Sequence, residues 1–284
     1  MITLLYLLVL IIIGFAAGLV GSLSGLGGGI VVVPALTILL GLPIQYAAGA
    51  SLVATIATSS GSATNFVKEK IANIRIGMSL EIATTLGAIV GSLIAAFIYS
   101  KGLPEIIFII FGFVLIFSII PAFSRFREKA SKRYKDDWST KLFGLRGSYY
   151  DLASKKEVKY NGVRWWFGEA VMSVAGIVSG LLGIGSGTLK AIGMDWGMKL
   201  PIKVTTSTSN FMIGVTAAAS TGVYWALGYI QPVIIAPVVI GVLGGSFYGS
   251  HVLDRIKTNR IRLFFMLVLA IAGIEMIFHG VLVH

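Results

Sequence analysis

Two glycine clusters carry the first chemical signal. Gly25, Gly27, Gly28 and Gly29 fall within five residues, and Gly183, Gly185 and Gly187 repeat the spacing with Ser186 in the middle place. Each cluster runs into a short apolar segment. Neither is followed by the G-K-[ST] of a phosphate-binding loop, and neither sits in a soluble strand-to-helix context, so nucleotide binding is set aside. No charged residue occurs between Met1 and Val67, which places the first cluster in lipid. Irregular backbone at membrane depth is tolerated only where it is buried or lines a polar cavity. Glycine supplies the turn and the close helix approach. Short helices are expected to start at Ile30 and Thr188, with free N–H groups that attract an anion. Two such ends brought together near the midplane would bind a small anion. The competing reading is that the glycines serve tight helix packing alone.

Hydroxyls and one lysine accompany the glycines. Ser51, Thr55, Thr58 and Ser62 are spaced to share one helical face, and Ser209, Thr216 and Ser220 repeat three of these positions. Thr208 and Asn210 flank the second stripe, and Asn65 continues the first. Such a stripe could offer donors to oxyanion oxygens along a route, or could be interhelical glue. Lys190 follows the second cluster in the first turn of a short helix, where a cation works against the helix dipole. It could snorkel to an interface, pair with Asp195, or face the cavity as a point charge for an anion. Of the other ionisable residues in apolar segments, Glu169 suits an interface, while Glu81 and Glu275 suit either an interface or a coupling proton. Trp165, Trp166 and Trp225 suit interface anchoring.

The elements that must position these residues are membrane helices. The 284 residues are 56% hydrophobic and 12% charged, against about 25% charged in globular domains, and the mean hydropathy is +0.90. Apolar runs are continuous and do not alternate, so an all-α polytopic membrane protein is expected and a β-barrel is not. The N-terminus lacks a basic region and a cleavage site, and reads as a first membrane helix. No cysteine is present, and His251, His279 and His284 lack metal-ligand spacing. Neither a metal, a cofactor nor a catalytic set is indicated.

The chain divides into a first transmembrane repeat (1–123), a basic loop (124–164) and a second transmembrane repeat (165–284). The loop holds 12 of the 23 Lys and Arg residues, an excess read as a cytoplasmic topology signal and not as a nucleic-acid site. Its segment "GSYYDLASKKEVKYNGV" is expected to form a small hairpin. Ala17–Ser62 aligns with Ala175–Ser220, and Gly87–Ser92 with Gly241–Ser246, so the unit is duplicated. Five elements are expected in each copy, over 3–22, 30–41, 45–66, 77–99 and 104–122, then 165–182, 188–199, 204–226, 232–252 and 262–281. The second element of each copy, at roughly 18 Å of helix, is too short to cross the bilayer. It is a broken helix or a re-entrant hairpin. The basic loops Lys68–Arg75 and Asp254–Arg262 fall one position apart in the two copies. The positive-inside rule then makes the repeats inverted, with all three basic loops cytoplasmic and both termini external.

The stretches "AGLVGSLSGLGGGIVVVPAL" with "LPIQYAAGASL", and "AGIVSGLLGIGSGTLKAIGM" with "LPIKVTTSTSNF", resemble the sulfite exporter TauE/SafE family, also called the toluene sulfonate uptake permease family. The resemblance covers both hydrophobic halves. Ser186 replaces the middle glycine of the second cluster, and Ile192 stands where the first half has Pro34. The resemblance implies transport of a small oxidised sulfur anion such as sulfite, sulfoacetate or another sulfonate. A secondary transporter in the cell membrane, coupled to a proton or sodium ion, is the leading expectation, and a passive anion channel with the same pore is the alternative. Substrate contacts are expected at Gly25, Gly27, Gly28, Gly29, Ser51, Thr58, Gly183, Gly185, Ser186, Gly187, Thr188, Lys190, Thr208, Ser209 and Asn210. The expected partners are that anion, the coupling ion and the lipid bilayer, with no nucleic acid and the oligomeric state left open.

Overall fold

The computed structural model describes residues 4–24, 27–68, 72–119, 134–151, 155–253 and 258–282. The first half contains α1 (Leu4–Ser24), α2 (Gly29–Pro34), α3 (Ile44–Lys68), α4 (Ile74–Ser100) and α5 (Pro104–Phe117). Then come α6 (Trp138–Phe143) and the strands β1 (Arg146–Asp151) and β2 (Lys156–Asn161). The second half contains α7 (Trp165–Leu182), α8 (Gly187–Ile192), α9 (Ile202–Ala226), α10 (Pro232–Leu253) and α11 (Thr258–Leu282). The chain is an all-α polytopic membrane protein, and its described residues include a small β-hairpin. Among the described residues, α1, α4, α7 and α10 contain stretches long and apolar enough to cross a membrane. The short helices begin at Gly29 and Gly187, one residue before the positions expected from sequence. Gly25, residues 69–71, 120–133 and 254–257, and His284 bear on the expectations above but lie outside the described residues.

These four apolar helices pack in two exchanged pairs. The first helix of one half lies on the fourth helix of the other: α1 on α10, and α7 on α4. Glycine makes both contacts, because the backbones touch. A methyl group on Gly245 would fall 2.0 Å from the Phe15 carbonyl oxygen, and one on Gly241 2.1 Å from that of Ile11. The matching positions in the other pair are Gly91, 2.0 Å from the Ile177 carbonyl oxygen, and Gly87, 2.4 Å from that of Ser173. Small residues at such contacts let membrane helices approach where lipid gives no hydrophobic drive for association. Both pairs run parallel, since residue numbers rise together along each contact.

Between the pairs lie the hydroxyl-rich helices α3 and α9, which pack on each other antiparallel. The Ser59 hydroxyl donates to the Asn210 carbonyl (2.5 Å), while Gly49 faces Tyr229, beyond the far end of α9. The outer helices α5 and α11 also pack antiparallel, with Gly112 against Gly273 and Gly280 against Glu105.

Each glycine cluster leads into a six-residue α-helix and then a π-helical turn, Ala35–Leu39 in the first half and Gly193–Gly197 in the second. Proline lacks the N–H of a regular helix, so Pro34 suits the change of register. It is not required, because the turn recurs with Ile192 in its place. Both segments close alike: Leu42 N–H donates to Leu36 (3.1 Å) and Leu200 N–H to Met194 (3.0 Å). The residues before them, Gly41 and Lys199, both have a left-handed backbone (φ 62° and 60°). In the second half the segment returns to the end of the molecule it left. Val163, just before α7, donates its N–H to Met198 (3.1 Å), and Gly197 lies against the Phe167 ring. Of the two geometries left open by sequence, α7 and α8 adopt the re-entrant hairpin.

Strands β1 and β2 form the expected antiparallel hairpin, with Arg146 opposite Asn161 and Asp151 opposite Lys156. Leu145, Tyr149 and Tyr160 pack into one apolar cluster with Ile76, Leu80, Met172, Met194 and Met198, which seats the hairpin on the ends of the membrane helices. Asn73 joins both parts. Its side chain donates to the Tyr160 hydroxyl (3.0 Å), and its backbone N–H to Thr208 Oγ1 (3.1 Å). Asp137 caps α6 by accepting from Thr140 N–H (2.8 Å), and also accepts from Arg164 N–H (2.6 Å) at the start of α7.

Candidate functional site

The two glycine turns meet beside α3. Ser51 donates its hydroxyl to the Gly183 carbonyl (2.6 Å), which ties the hydroxyl stripe of one half to the turn of the other. A methyl group on Gly29 would lie 2.5 Å from Ser51 Oγ, 2.8 Å from Thr55 Oγ1 and 3.3 Å from Ile184 Cα. One on Gly185 would lie 2.2 Å from the Ile213 side chain and 2.9 Å from that of Thr55. Gly27 and Gly183 also need a left-handed backbone (φ 85° and 70°). The glycines therefore serve both the turn and the packing. Two buried hydroxyls here, Thr55 Oγ1 and Ser186 Oγ, lack a hydrogen-bond partner, an arrangement that costs free energy unless something else supplies one.

Lys190 is the strongest electrostatic feature. Its side chain is fully buried, and its Nζ lies 3.9 Å from Glu81 Oε2. It also donates to Thr216 Oγ1, and Thr216 in turn donates to Glu81 Oε1 (2.6 Å). Thr85 adds a bond to Glu81 Oε1 (3.2 Å) and Thr84 one to Oε2 (3.5 Å). Thus α4 of the first half, α8 and α9 converge on one charged cluster near the middle of α9. Burial rules out snorkelling, and the ion pair is with Glu81, not with the Asp195 considered from sequence. In the other half the repeat alignment places Val32, Thr58 and Ile235 at the matching positions. Val32 is fully buried and Ile235 is 8% exposed, so one side of the fold is charged where its counterpart is apolar.

The sulfite exporter TauE/SafE family model matches residues 10–276. The chain belongs to that family. Similar curated proteins include the "Probable membrane transporter protein YunE" of Bacillus subtilis, 28% identical, with 96% of this chain and 98% of that protein covered. "Probable membrane transporter protein YdhB" of the same organism is 23% identical over 95% of this chain and all of its own length. A protein of Methanocaldococcus jannaschii, also named a probable membrane transporter protein, is 26% identical over 96% of each chain. No solved structure matches. This TauE/SafE chain is a membrane transporter and not an enzyme.

The residues picked from the TauE/SafE sequence divide in space. Gly27, Gly28, Gly29, Ser51, Thr58, Gly183, Gly185 and Ser186 gather at the hairpin crossing, where a methyl on Gly28 would meet Thr58 Oγ1 at 2.9 Å. Ser209 reaches Gly187, donating to its carbonyl (3.4 Å). Thr208 instead accepts from Asn73 at the end of the bundle. Asn210 gives its carbonyl to Ser59, and its side-chain nitrogen is buried without a partner. Gly25 and the side chain of Thr188 lie outside the described residues. Glu81 and Thr216 fall outside the substrate contacts expected from sequence. Glu81 carried a signal, an acidic residue in an apolar segment, but its partner lies over a hundred residues away in the chain.

Proposed function

We propose that this protein is a secondary transporter for a small oxidised sulfur anion, sulfite or an organosulfonate. Lys190 carries the proposal. A fully buried cation in a membrane protein is expensive and marks a route for charge, and here it sits beside the meeting point of the two glycine turns. The unpartnered Thr55 and Ser186 hydroxyls supply donors of the kind that oxyanion oxygens accept. The family description supports the substrate class. Contact between the two turns, at Gly29 and Ile184, supports an occluded site reached alternately over a continuous pore. The antiparallel packing of α3 on α9 and of α5 on α11 supports inverted repeats. Together with the positive-inside rule this supports a cytoplasmic location for residues 124–164 and an external one for both termini of a cell-membrane protein.

The test is uptake of sulfite, thiosulfate and methanesulfonate into vesicles containing the purified protein, under an imposed inward proton or sodium gradient. Accumulation of at least one of them above the external concentration is expected. The Lys190→Met, Glu81→Gln double variant, which removes both charges together, should stay folded and lose it. Equal transport by the double variant would remove Lys190 from the route, and equilibration without accumulation would make the protein a channel.

A further inference from the structure

We propose that Glu81 is the proton-coupling site of the cycle, one proton entering the site with each anion. This rests on the reading of Lys190 as the anion's counter-charge. In the structure that charge is already balanced: Lys190 Nζ faces Glu81 Oε2 at 3.9 Å, with both side chains buried. An anion arriving at Lys190 would meet an ionised carboxylate in a region with little solvent to screen it. Protonation of Glu81 removes the conflict. The step balances: ionised Glu81 paired with the Lys190 ammonium, plus a proton and an anion, becomes neutral Glu81 beside the Lys190 ammonium paired with the anion. No net charge is added when the anion is monovalent.

Thr216 is built for this exchange. Its hydroxyl has one proton and two acceptors in reach, Glu81 Oε1 at 2.6 Å and the Met212 carbonyl at 2.9 Å. When Glu81 is ionised, Thr216 donates to it. When Glu81 is protonated, Thr216 turns its proton to Met212 and accepts from the carboxyl. Neither state strands a buried donor. Thr84 has the same choice between Glu81 Oε2 (3.5 Å) and the Leu80 carbonyl (2.9 Å). A purely structural ion pair would not need hydroxyls with a second acceptor, and the matching cluster in the other half, with Val32 and Ile235, has no charge to switch.

The other ionisable groups on α4 and the helices packed against it are Arg75 and Tyr99 on α4, Glu105 on α5, Glu169 on α7, and Lys203 and Tyr224 on α9. Glu169 opens instead onto a groove lined by Ile82, Ala83 and Leu86, and serves as the control.

The experiment measures proton uptake from weakly buffered solution when methanesulfonate, whose charge is fixed near neutral pH, is added to the intact purified protein, with sulfate and thiosulfate in parallel. The wild type should take up about one proton per methanesulfonate bound, its affinity falling about tenfold per pH unit over the range where that uptake occurs. Glu169→Gln should behave as wild type. Glu81→Gln should bind with pH-independent affinity and no proton uptake, and Thr216→Val should weaken the coupling while Thr216→Ser retains it. Anion binding by the wild type without proton uptake overturns the proposal, as does uptake that persists in Glu81→Gln. Failure to bind any of the three anions, or undiminished binding in the Lys190→Met, Glu81→Gln protein, would instead sink the underlying assignment of Lys190.

Discussion

Ser51 on α3 and Gly183, the first residue of the second glycine turn, are joined by a 2.6 Å hydrogen bond from hydroxyl to carbonyl across the two halves of the chain. The bond sets where the turn lies on the stripe. Ser51→Ala should lower stability by about 1 kcal/mol, the net worth of one such bond, and slow anion uptake by more than that loss explains. Ser51→Val should be worse, because the space beside Gly29 has no room for further methyl groups. Tryptophan-fluorescence melting and vesicle uptake on the same preparations read both effects. Unchanged melting in Ser51→Ala would show that the bond contributes nothing.

Glycine substitutions should separate sharply by position. A methyl group on Gly180 would fall 1.9 Å from the Ala88 carbonyl oxygen, whereas one on Gly222 meets nothing within 4 Å. Gly180→Ala should therefore abolish folded protein. Gly222→Ala should be neutral or stabilise by up to about 1 kcal/mol through helix propensity. Recovery of monodisperse protein after detergent extraction distinguishes them, and normal recovery of Gly180→Ala would contradict backbone contact between α4 and α7.

Removing one member of the buried pair should cost more than removing both. Lys190→Met leaves Glu81 without its counter-charge, a loss of about 3–5 kcal/mol where a buried pair is broken. The Lys190→Met, Glu81→Gln protein should recover most of it. The melting temperatures of the two single variants, the double variant and the wild type form the cycle, and an additive result would deny the coupling between these residues.

Asp137 should make the cap of α6 acid-sensitive. Burial pushes its pKa up, but hydrogen bonds from Arg164 N–H, the Ser139 hydroxyl, Thr140 N–H and the Thr140 hydroxyl outweigh this, and hold the carboxyl well below the usual range. A depressed pKa contributes stability that is present above the unfolded value of about 3.9 and is lost as pH falls through the folded one. The join between α6 and α7 should thus loosen only below about pH 4. Asp137→Ala should lose about 1 kcal/mol at neutral pH and show no further loss of this contribution in acid. Hydrogen exchange at Thr140 and Arg164 across that range is the readout.

Orientation can be tested directly, because the chain has no native cysteine. A cysteine at exposed Lys101 should be labelled from outside intact cells, and one at exposed Lys156 only after permeabilisation. The opposite pattern would invert the proposed topology.

The helices were legible because their residues announce lipid. Uncharged α1, the apolar runs of α4 and α10, and the turn before Lys156 each carry a local pattern, and the observed bounds differ from expectation by a few residues. The glycine clusters were legible as turns. What sequence could not supply was the exchange of partners. Nothing in the run around Gly91 says that its surface fits Ile177, and nothing near Glu81 says that its counter-charge is Lys190. Such pairings depend on which helix faces which after folding. Lys190 stands out in sequence by its awkward place near a helix start, yet local spacing offers only Asp195, five residues away, as a partner. Thr208 shows the same limit: its place beside Ser209 says nothing of Asn73, which it meets.

The pairing of α1 with α10 also sets an order on biosynthesis. Helix α1 leaves the ribosome long before α10, yet the surface that Gly14 and Gly18 fit belongs to Val238 and Val242. Until those residues have been made, the small-residue face of α1 has only lipid or insertion machinery against it. Helix α4 waits less long, since α7 follows after the basic loop. The first half therefore enters the membrane as separately inserted helices with unfilled seams; α10 closes the one on α1, and α11 then closes the one on α5. Substitutions on α10 should expose α1 to quality-control proteases even when every earlier helix has inserted correctly.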